Sequence, residues 1–245
     1  MLTVEFERLG LEPGARILDL GCGDGRHIRQ ARRFSGVSAV AVDLGASEAT
    51  NAARSLREMD DYGYAFGGAI ADSGPWLSMR GSSYDLPFAD GAFDCVILSE
   101  VLEHLHEEQR ALSEVSRVLR DGGLLAISVP RTGPEAVCWA LSHKYRNSPG
   151  GHVRIYLRSA LRRLLEENGY RIVGSHYAHA LHSPYWWLKC ALGLDNDSAW
   201  PVELYHRLLV WDLMQKPLLT RTLEGILNPF IGKSVVFYAV KGTPA

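Results

Sequence analysis

Two carboxylates and an imidazole stand close together in the middle of the chain, at Glu100, Glu103 and His104. Their i, i+3, i+4 spacing would place all three on one face of a helix, where they can ligate a divalent ion that activates a hydroxyl group. His104 can instead act as a general base, and His152 is the next candidate for that role. The structural alternative for either histidine is a hydrogen bond to a loop carbonyl. We assign His104 and His152 as catalytic candidates and assign no metal.

A second histidine group, His176, His179 and His182, recurs at three-residue intervals. The pattern H-x-x-H-x-x-H in a predicted loop is a poor zinc signature. The sequence therefore indicates surface histidines at these positions.

A glycine-rich turn lies near the start of the chain, where a buried strand leads into Gly21, Gly23 and Gly25. Glycines have no Cβ atoms, so a ligand can approach the backbone, and the next helix offers free N–H groups and the positive end of its dipole. The spacing G-x-G-x-G, with Asp19 just before it, differs from the dinucleotide pattern G-x-G-x-x-G. The turn indicates a nucleotide cradle; its structural alternative is a turn that only packs a helix on a strand.

An acidic residue, Asp43, ends the second predicted strand. It follows the glycine turn by roughly twenty residues, where a carboxylate can hold a ribose diol. We predict that Asp43 is a ribose ligand and that Leu44 lies beside it in the same site. The alternative is an N-cap for the helix predicted over 47–58.

Alternating strand and helix patterns position these residues. Apolar runs predict strands at 16–20, 37–42, 76–80, 94–98, 124–129, 170–175 and 234–240, and the spacing of apolar residues predicts helices that include 1–12, 26–33, 47–58, 107–120 and 133–146. Residues 60–75 are predicted to form a long loop. The alternation predicts a doubly wound α/β fold, in which ligands lie at the carboxyl ends of the strands.

Three segments together resemble class I S-adenosylmethionine (SAM) methyltransferases, in the group related to the ubiquinone and menaquinone biosynthetic enzymes. The first is the turn D-L-G-C-G-D-G at 19–25. The second contains the motifs L-P-F at 86–88 and F-D at 93–94, and the third is E-V-L-E-H-L at 100–105. The resemblance extends over 19–129, about half of the chain. It implies a Rossmann-like seven-stranded sheet with the last strand antiparallel, and SAM as the cofactor.

The resemblance also assigns cofactor contacts, with one departure. Ser82 stands where the family usually has an Asp or Asn that accepts a hydrogen bond from the adenine amino group. The adenine contact is therefore assigned to Ser82, Ser83 or Asp85, and we rank the two serines first. Ser99 is expected near the methionine end of the cofactor. The predicted set is Asp19, Gly21, Cys22, Gly23, Asp43, Leu44, Ser82, Ser83, Ser99 and Glu100.

The last two predicted strands are separated by residues 176–233, which are rich in tryptophan, tyrosine and leucine. We predict a single domain over 1–245 that contains 176–233 as a mainly helical, cap-like insertion. Its apolar side would close over an apolar acceptor such as a quinone, polyketide, terpenoid or lipid-linked molecule. The alternative is that these aromatic residues pack a core or a homodimer interface.

The composition argues against several partner classes. The 245 residues carry a net charge of −2 with scattered arginines, which offers no basic face to nucleic acid. The most apolar stretch, 185–194, contains Lys189 and is too short to span a bilayer, and the first residues lack a signal-peptide pattern. The four cysteines form no C-x-x-C pair, which favours a reducing compartment. We expect a cytoplasmic protein that acts on a small molecule.

Three functions fit these patterns. The first is SAM-dependent methyl transfer to a small, apolar acceptor, with O-methylation favoured over C- or N-methylation. The second, a nicotinamide-dependent oxidoreductase, accounts for the sheet and Asp43 but leaves 86–88 and 99–105 unexplained. The third is a non-catalytic SAM-binding or partner-binding module, suggested by the departure at Ser82 and by the aromatic insertion.

Overall fold

A computed structural model describes residues 2–61, 74–148, 150–196 and 198–242 of the chain. Most of the loop predicted at 60–75 lies outside the described residues, apart from its two ends. Residues 60–61 belong to a helix, and 74–75 lead into the third strand.

The described strands form one sheet of seven, in the order β3-β2-β1-β4-β5-β7-β6. They are β1 (Arg16–Leu20), β2 (Ser38–Asp43), β3 (Trp76–Arg80), β4 (Phe93–Ser99), β5 (Leu119–Pro130), β6 (Tyr170–Ala178) and β7 (Ser234–Lys241). The first five strands are parallel, and β7 runs antiparallel to both β5 and β6. The predicted doubly wound, Rossmann-like sheet with an antiparallel last strand is confirmed.

Helices pack on both faces of this sheet because successive residues of a strand point to opposite sides. In β1, Leu18 packs in a core with Leu112 of one helix layer, and Ile17 packs in a second core with Leu56 of the other. The helices are α1 (Arg26–Ala31), α2 (Ala46–Asp61), α3 (Glu108–Val118), α4 (Thr132–Leu141), α5 (His143–Arg146), α6 (Arg158–Glu167), α7 (His182–Leu192), α8 (Trp200–Gln215) and α9 (Leu218–Ile231).

Three predicted element boundaries are wrong. The helix predicted at 1–12 is only a 3₁₀ turn at Phe6–Arg8, and the nearby Glu5 N–H donates to the Tyr238 hydroxyl of β7 (2.8 Å) instead of to a helical carbonyl. The helix predicted at 133–146 is split at Ser142, whose extended backbone ends α4 and whose hydroxyl caps α5. Residues 121–123 lie within β5, although the strand was predicted to begin only at residue 124.

The insertion between β6 and β7 is helical, as predicted, but it begins later than residue 176. Residues 176–178 continue β6, and α7, α8 and α9 supply the rest. Side-chain bonds hold the insertion to the domain: Trp187 Nε1–H donates to the Pro134 carbonyl (3.0 Å), and Arg131 donates to the Pro229 carbonyl (2.9 Å). No helix in the described part of the chain combines the length and apolar character needed to cross a bilayer.

Arg117 on α3 holds the Leu86-Pro87-Phe88 segment in place. Its guanidinium donates to the Leu86 carbonyl (2.8 Å) and the Phe88 carbonyl (2.6 Å), and it pairs with Glu114 (2.8 Å). Glu114 in turn accepts the Leu86 N–H (2.8 Å). The ion pair therefore fixes the connection between β3 and β4, which contains Ser82 and Ser83.

We expect Arg117→Met to lower the free energy of unfolding by about 2–3 kcal/mol, because several charge-assisted hydrogen bonds are lost together. Arg117 lowers the pKa of Glu114 to about 2, so this contribution is present above the ordinary carboxyl pKa of 4.5 and is lost as the pH falls toward 2. Urea unfolding at pH 7 and pH 3 measures both effects. The matched control is Arg110→Met on the same helix, whose exposed pair with Glu107 should contribute less than about 1 kcal/mol. Equal losses from the two variants would contradict this role of Arg117.

Candidate functional site

The glycine turn after β1 is tied to the end of β2. Both the Gly21 and Cys22 N–H groups donate to the Val42 carbonyl (2.7 and 3.1 Å). Gly21 has a φ of +74°, and a Cβ there would lie 2.2 Å from Cγ2 of Val101. Gly23 has a φ of +51°, but a Cβ there would meet nothing within 4 Å. Gly21 is thus required by close packing, whereas Gly23 faces open space in which a ligand can approach the backbone.

Asp43 lies beside this open space. Its Oδ2 accepts the Gly23 N–H and its Oδ1 accepts the Gly45 N–H, each at 2.9 Å. Because each carboxylate oxygen has a second lone pair, the oriented side chain can still accept two hydroxyl groups, as a ribose diol requires. The next side chain, Leu44, is 67% exposed and offers an apolar surface at the same edge. The N-cap alternative is not supported. The helix α2 begins at Ala46, and Asp43 accepts the Gly45 N–H, which lies before the helix and not in its first turn.

Asp19 lies beneath the turn with only 1% of its surface exposed. Its carboxylate accepts the Ile28 N–H of α1 (3.2 Å), and burial raises its pKa to about 7. Cys22 is also buried, with its Sγ 3.6 Å from the Gly23 carbonyl. Both residues therefore support the cradle from below, and their direct contact with a cofactor stays a prediction.

Ser82 and Ser83 lie next to Asp43, because the Gly81 N–H donates to the Asp43 carbonyl (2.8 Å). Both serines are half-buried, and Ser82 Oγ accepts the Tyr84 N–H (3.2 Å). Asp85 is exposed. The adenine contact of the two serines stays a prediction with suitable geometry.

Ser99 and Glu100 are linked through β5. Ser99 Oγ lies 2.9 Å from Ser128 Oγ, which donates to Glu100 Oε1 (2.8 Å). Glu100 has a φ of +57°, a strained conformation for a residue with a side chain. A shared face for Glu100, Glu103 and His104 would require a helix over all three, but the 3₁₀ turn covers only Leu102–His104 and Glu100 accepts from Ser128.

His152 forms a dyad with a buried carboxylate that the sequence did not single out. Its Nδ1 lies 2.5 Å from Oε1 of Glu135, whose side chain is 1% exposed, and the Tyr145 hydroxyl donates to the other oxygen (3.4 Å). A carboxylate that holds one imidazole nitrogen fixes the tautomer and leaves Nε2 available as a base. His152 thus has the environment of a general base.

His104 lies against His152, with ring centroids 5.0 Å apart. Its Nδ1 is 3.3 Å from the Gly151 carbonyl, which is the contact that the structural alternative predicted. Burial, together with His152, lowers the pKa of His104 and favours the neutral imidazole. The two catalytic candidates, separated in sequence, are neighbours in the fold.

Glu103 is the most unusual member of this group. It is 1% exposed, and neither of its carboxylate oxygens has a hydrogen-bond partner among the described residues. Burial and the nearby Glu100 raise its pKa. One ligating atom each from Glu103, His104 and His152 lies within 4.8 Å of the others. In this part of the structure, the donors that could hold a metal are these three, with His152 in the place predicted for Glu100.

A cavity of about 430 Å³ adjoins this edge of the sheet. Glu100 and Lys233 line it from the sheet side, and Tyr185, Trp186 and Leu209 line it from the insertion. Trp186 also packs on Tyr145 (ring centroids 5.9 Å apart), so the cavity wall adjoins the His152 dyad. Sequence reasoning missed Glu135, Tyr145 and Lys233, because no local pattern marks them.

The prediction that His176, His179 and His182 are surface residues is wrong. All three are partly buried, and His176 belongs to β6. His179 Nε2 lies 3.0 Å from Thr3 Oγ1, and His182 lines the same cavity as Glu100. Burial and Lys233 lower the pKa of His182 to about 4. The sequence did not indicate the burial of these histidines, because the helices that cover them lie up to 55 residues further along the chain.

Comparisons with known proteins identify methyltransferases as similar to this chain. A family model described as a methyltransferase domain matches residues 3–175. An O-methyltransferase, resE, of Aspergillus sclerotiorum is 30% identical over 185 residues, which cover 70% of this chain and 64% of that protein. A demethylmenaquinone methyltransferase of a Parafrankia species is 36% identical over 128 residues, covering 51% and 50%. A solved structure of a putative methyltransferase from Bacillus halodurans superposes with a TM-score of 0.62 at 19% identity, covering 97% of both chains.

The seven-stranded sheet and the glycine turn are those of the class I SAM-dependent methyltransferase fold. The chain belongs to the methyltransferase-domain family, as the resemblance of its motifs predicted. SAM is the cofactor of this family, and the residues present fit it: an open backbone cradle at Gly23 and an oriented carboxylate at Asp43. The chain matches less than two thirds of the length of these two curated relatives.

We expect Asp43→Ala to weaken SAM binding by about 10- to 150-fold, the equivalent of about 1.5–3 kcal/mol for charge-assisted hydrogen bonds lost from a diol. Isothermal titration calorimetry with SAM and S-adenosylhomocysteine measures the change. Asp61→Ala is the matched control, since Asp61 is exposed at the end of α2 and its loss should leave both affinities unchanged. A wild-type affinity in Asp43→Ala would remove Asp43 from the cofactor site.

Proposed function

We propose that this protein transfers a methyl group from SAM to a hydroxyl oxygen of a small, largely apolar acceptor. The observation that carries the proposal is the His152–Glu135 dyad, which supplies a base near the carboxyl ends of β4 and β5. An oxygen acceptor of high pKa must lose its proton to become a good nucleophile, whereas many carbon and sulfur acceptors need no such base. The O-methyltransferase relatives support the same choice.

The protein's own part in this reaction is to bind, orient and deprotonate. Bound SAM supplies an electrophilic methyl group on a positively charged sulfur. The glycine turn and Asp43 would hold the cofactor and align its methyl group with the acceptor oxygen, so that the oxygen–methyl bond could form as the methyl–sulfur bond breaks. His152 Nε2 takes the hydroxyl proton as that bond forms, while Glu135 keeps Nδ1–H directed away from the acceptor and stabilises the resulting imidazolium. His104 packs against the ring and limits its rotation.

The insertion supplies the acceptor wall in this proposal. Tyr185, Trp186 and Leu209 face the cavity of about 430 Å³, a volume suited to a small molecule. Their apolar surfaces exclude water from the acceptor, which supports a largely apolar substrate. The cap over residues 179–233 thus remains our proposal for how the acceptor is selected.

The outer face of the insertion has a different character. Large apolar side chains of α8 and α9 are exposed there, namely Trp200, Leu204, Leu208, Trp211, Met214, Leu218, Leu219, Leu223, Ile226 and Phe230. Only part of the aromatic set noted in the sequence therefore turns toward the cavity. The predicted homodimer stays a prediction, and this outer face is the surface that it would use.

The test is methyl transfer from isotopically labelled SAM to a panel of phenols, quinols, aliphatic alcohols, amines and carbon acids, read by mass spectrometry. We expect labelled methyl ethers from the apolar hydroxyl compounds only. Turnover that persists in excess chelator supports the base mechanism over the metal at Glu103, His104 and His152. SAM binding without transfer to any acceptor would favour the binding-module alternative, and transfer only to amines or carbon would contradict O-methylation.

A further inference from the structure

Three metal-ligating side chains meet beneath the insertion, outside the group around His152. His179 follows β6, His182 begins α7 and Glu224 lies on α9, and one ligating atom of each lies within 4.8 Å of the others. Two imidazoles and one carboxylate are a donor set that suits Zn²⁺, and sites with three protein ligands keep a further position open.

Glu224 has a carboxylate oxygen with no other partner. The residue is 9% exposed, and its Oε1 makes no hydrogen bond among the described residues. Its Oε2 is 3.6 Å from Arg221, a guanidinium that also pairs with Asp212 at 3.3 Å. His182 Nδ1 is likewise buried without a hydrogen-bond partner in the described part of the chain. Such atoms are unfavourable when buried unless a ligand completes their coordination.

His179 is held in an orientation that suits a ligand. Its Nε2 lies 3.0 Å from Thr3 Oγ1, and a hydrogen bond at one ring nitrogen is what usually orients a metal-bound imidazole through the other. The residue also has a φ of +67°, a conformation that non-glycine residues adopt only where the surroundings impose it, often at functional sites.

We propose that His179, His182 and Glu224 bind one Zn²⁺ ion where two cavities meet. His179 and His182 line the cavity of about 430 Å³, and His179 and Glu224 line a neighbouring one of about 610 Å³. The ion joins the end of β6 to α7 and α9 and so fixes the insertion on the sheet. Its open position is available to an oxygen of a molecule in either cavity. The argument for this site does not depend on the proposed methyl transfer, although His179 and His182 line the cavity assigned there to the acceptor.

The test measures Zn²⁺ binding by the full chain after removal of bound metal with a chelator. Competition with a chromophoric chelator should show that His182→Ala and Glu224→Gln each lose one equivalent of Zn²⁺, with affinity at least about 100-fold weaker. Zn²⁺ at a hundredfold excess over its Kd should raise the Tm of the wild type by about 5–10 °C and leave that of the variants unchanged. Glu103→Gln, which alters the other histidine and carboxylate group, is the matched control and should keep this equivalent.

Two further measurements keep the result independent of folding defects. Wild-type circular dichroism and a cooperative thermal transition in the metal-free variants show that they are folded, and Co²⁺ bound to the wild-type chain should give the intense visible absorption of a low-coordinate site. The proposal is overturned if both variants retain full Zn²⁺ binding, if only Glu103→Gln loses it, or if Co²⁺ shows only the weak spectrum of the hydrated ion.

Discussion

His152→Ala is expected to lower kcat by about 10²–10⁴-fold while leaving the affinity for SAM unchanged, because the variant loses the base and keeps the cradle. Imidazole added at millimolar concentration should restore part of the activity, since it can enter the space left by the ring. A variant that keeps wild-type kcat would show that His152 is not the base.

Two companion variants separate proton transfer from positioning. Glu135→Gln keeps the shape of the carboxylate but no longer stabilises the imidazolium, so kcat should fall by about 10–100-fold with the KM for acceptor little changed. His104→Ala should have a smaller effect on kcat, because its Nδ1 contacts the Gly151 carbonyl and its ring only flanks His152. A greater loss in His104→Ala than in His152→Ala would exchange their roles.

Gly21→Ala is expected to weaken SAM binding by about 10²–10³-fold. The new Cβ would lie 2.2 Å from Val101 Cγ2, so the turn or the segment after β4 must move. A positive φ costs a side-chain residue about 1–2 kcal/mol, and overpacking costs about 1–3 kcal/mol more. Calorimetry with SAM and thermal unfolding measure the losses in affinity and in stability.

The neighbouring positions provide matched controls for this prediction. Gly23→Ala has a similar positive φ but no close contact, so its stability should be less affected, while its Cβ projects into the cofactor's space and lowers affinity. Val101→Ala combined with Gly21→Ala removes the 2.2 Å contact and should recover part of the lost stability. No recovery in the double variant would show that the backbone conformation, and not Val101, makes glycine necessary.

The sequence by itself determined which segments form strands, where the glycine turn lies, and that Asp43 ends the second strand. These features depend on short windows: a buried strand needs a run of apolar residues, a sharp turn needs glycines, and a carboxylate must follow the next strand. Gly21, Gly23 and Asp43 are therefore recognisable without knowing what packs against them. The same locality explains the errors at 1–12 and 121–123, where packing and strand pairing override the local preference.

Only the tertiary structure decided which ionisable groups meet. Glu135 reaches His152 because α4 and the 150–156 segment both pack at the carboxyl end of β5, and the Val153 N–H donates to the Glu103 carbonyl (2.9 Å) to bring that segment beside His104. In the same way, α9 folds back over β6 and places Glu224 beside His179 and His182. The pKa values and hydrogen bonds of such groups depend on burial and on partners distant in sequence. Local patterns contain no information about either, whereas the glycine turn that we propose to hold the cofactor is specified almost entirely by neighbouring residues.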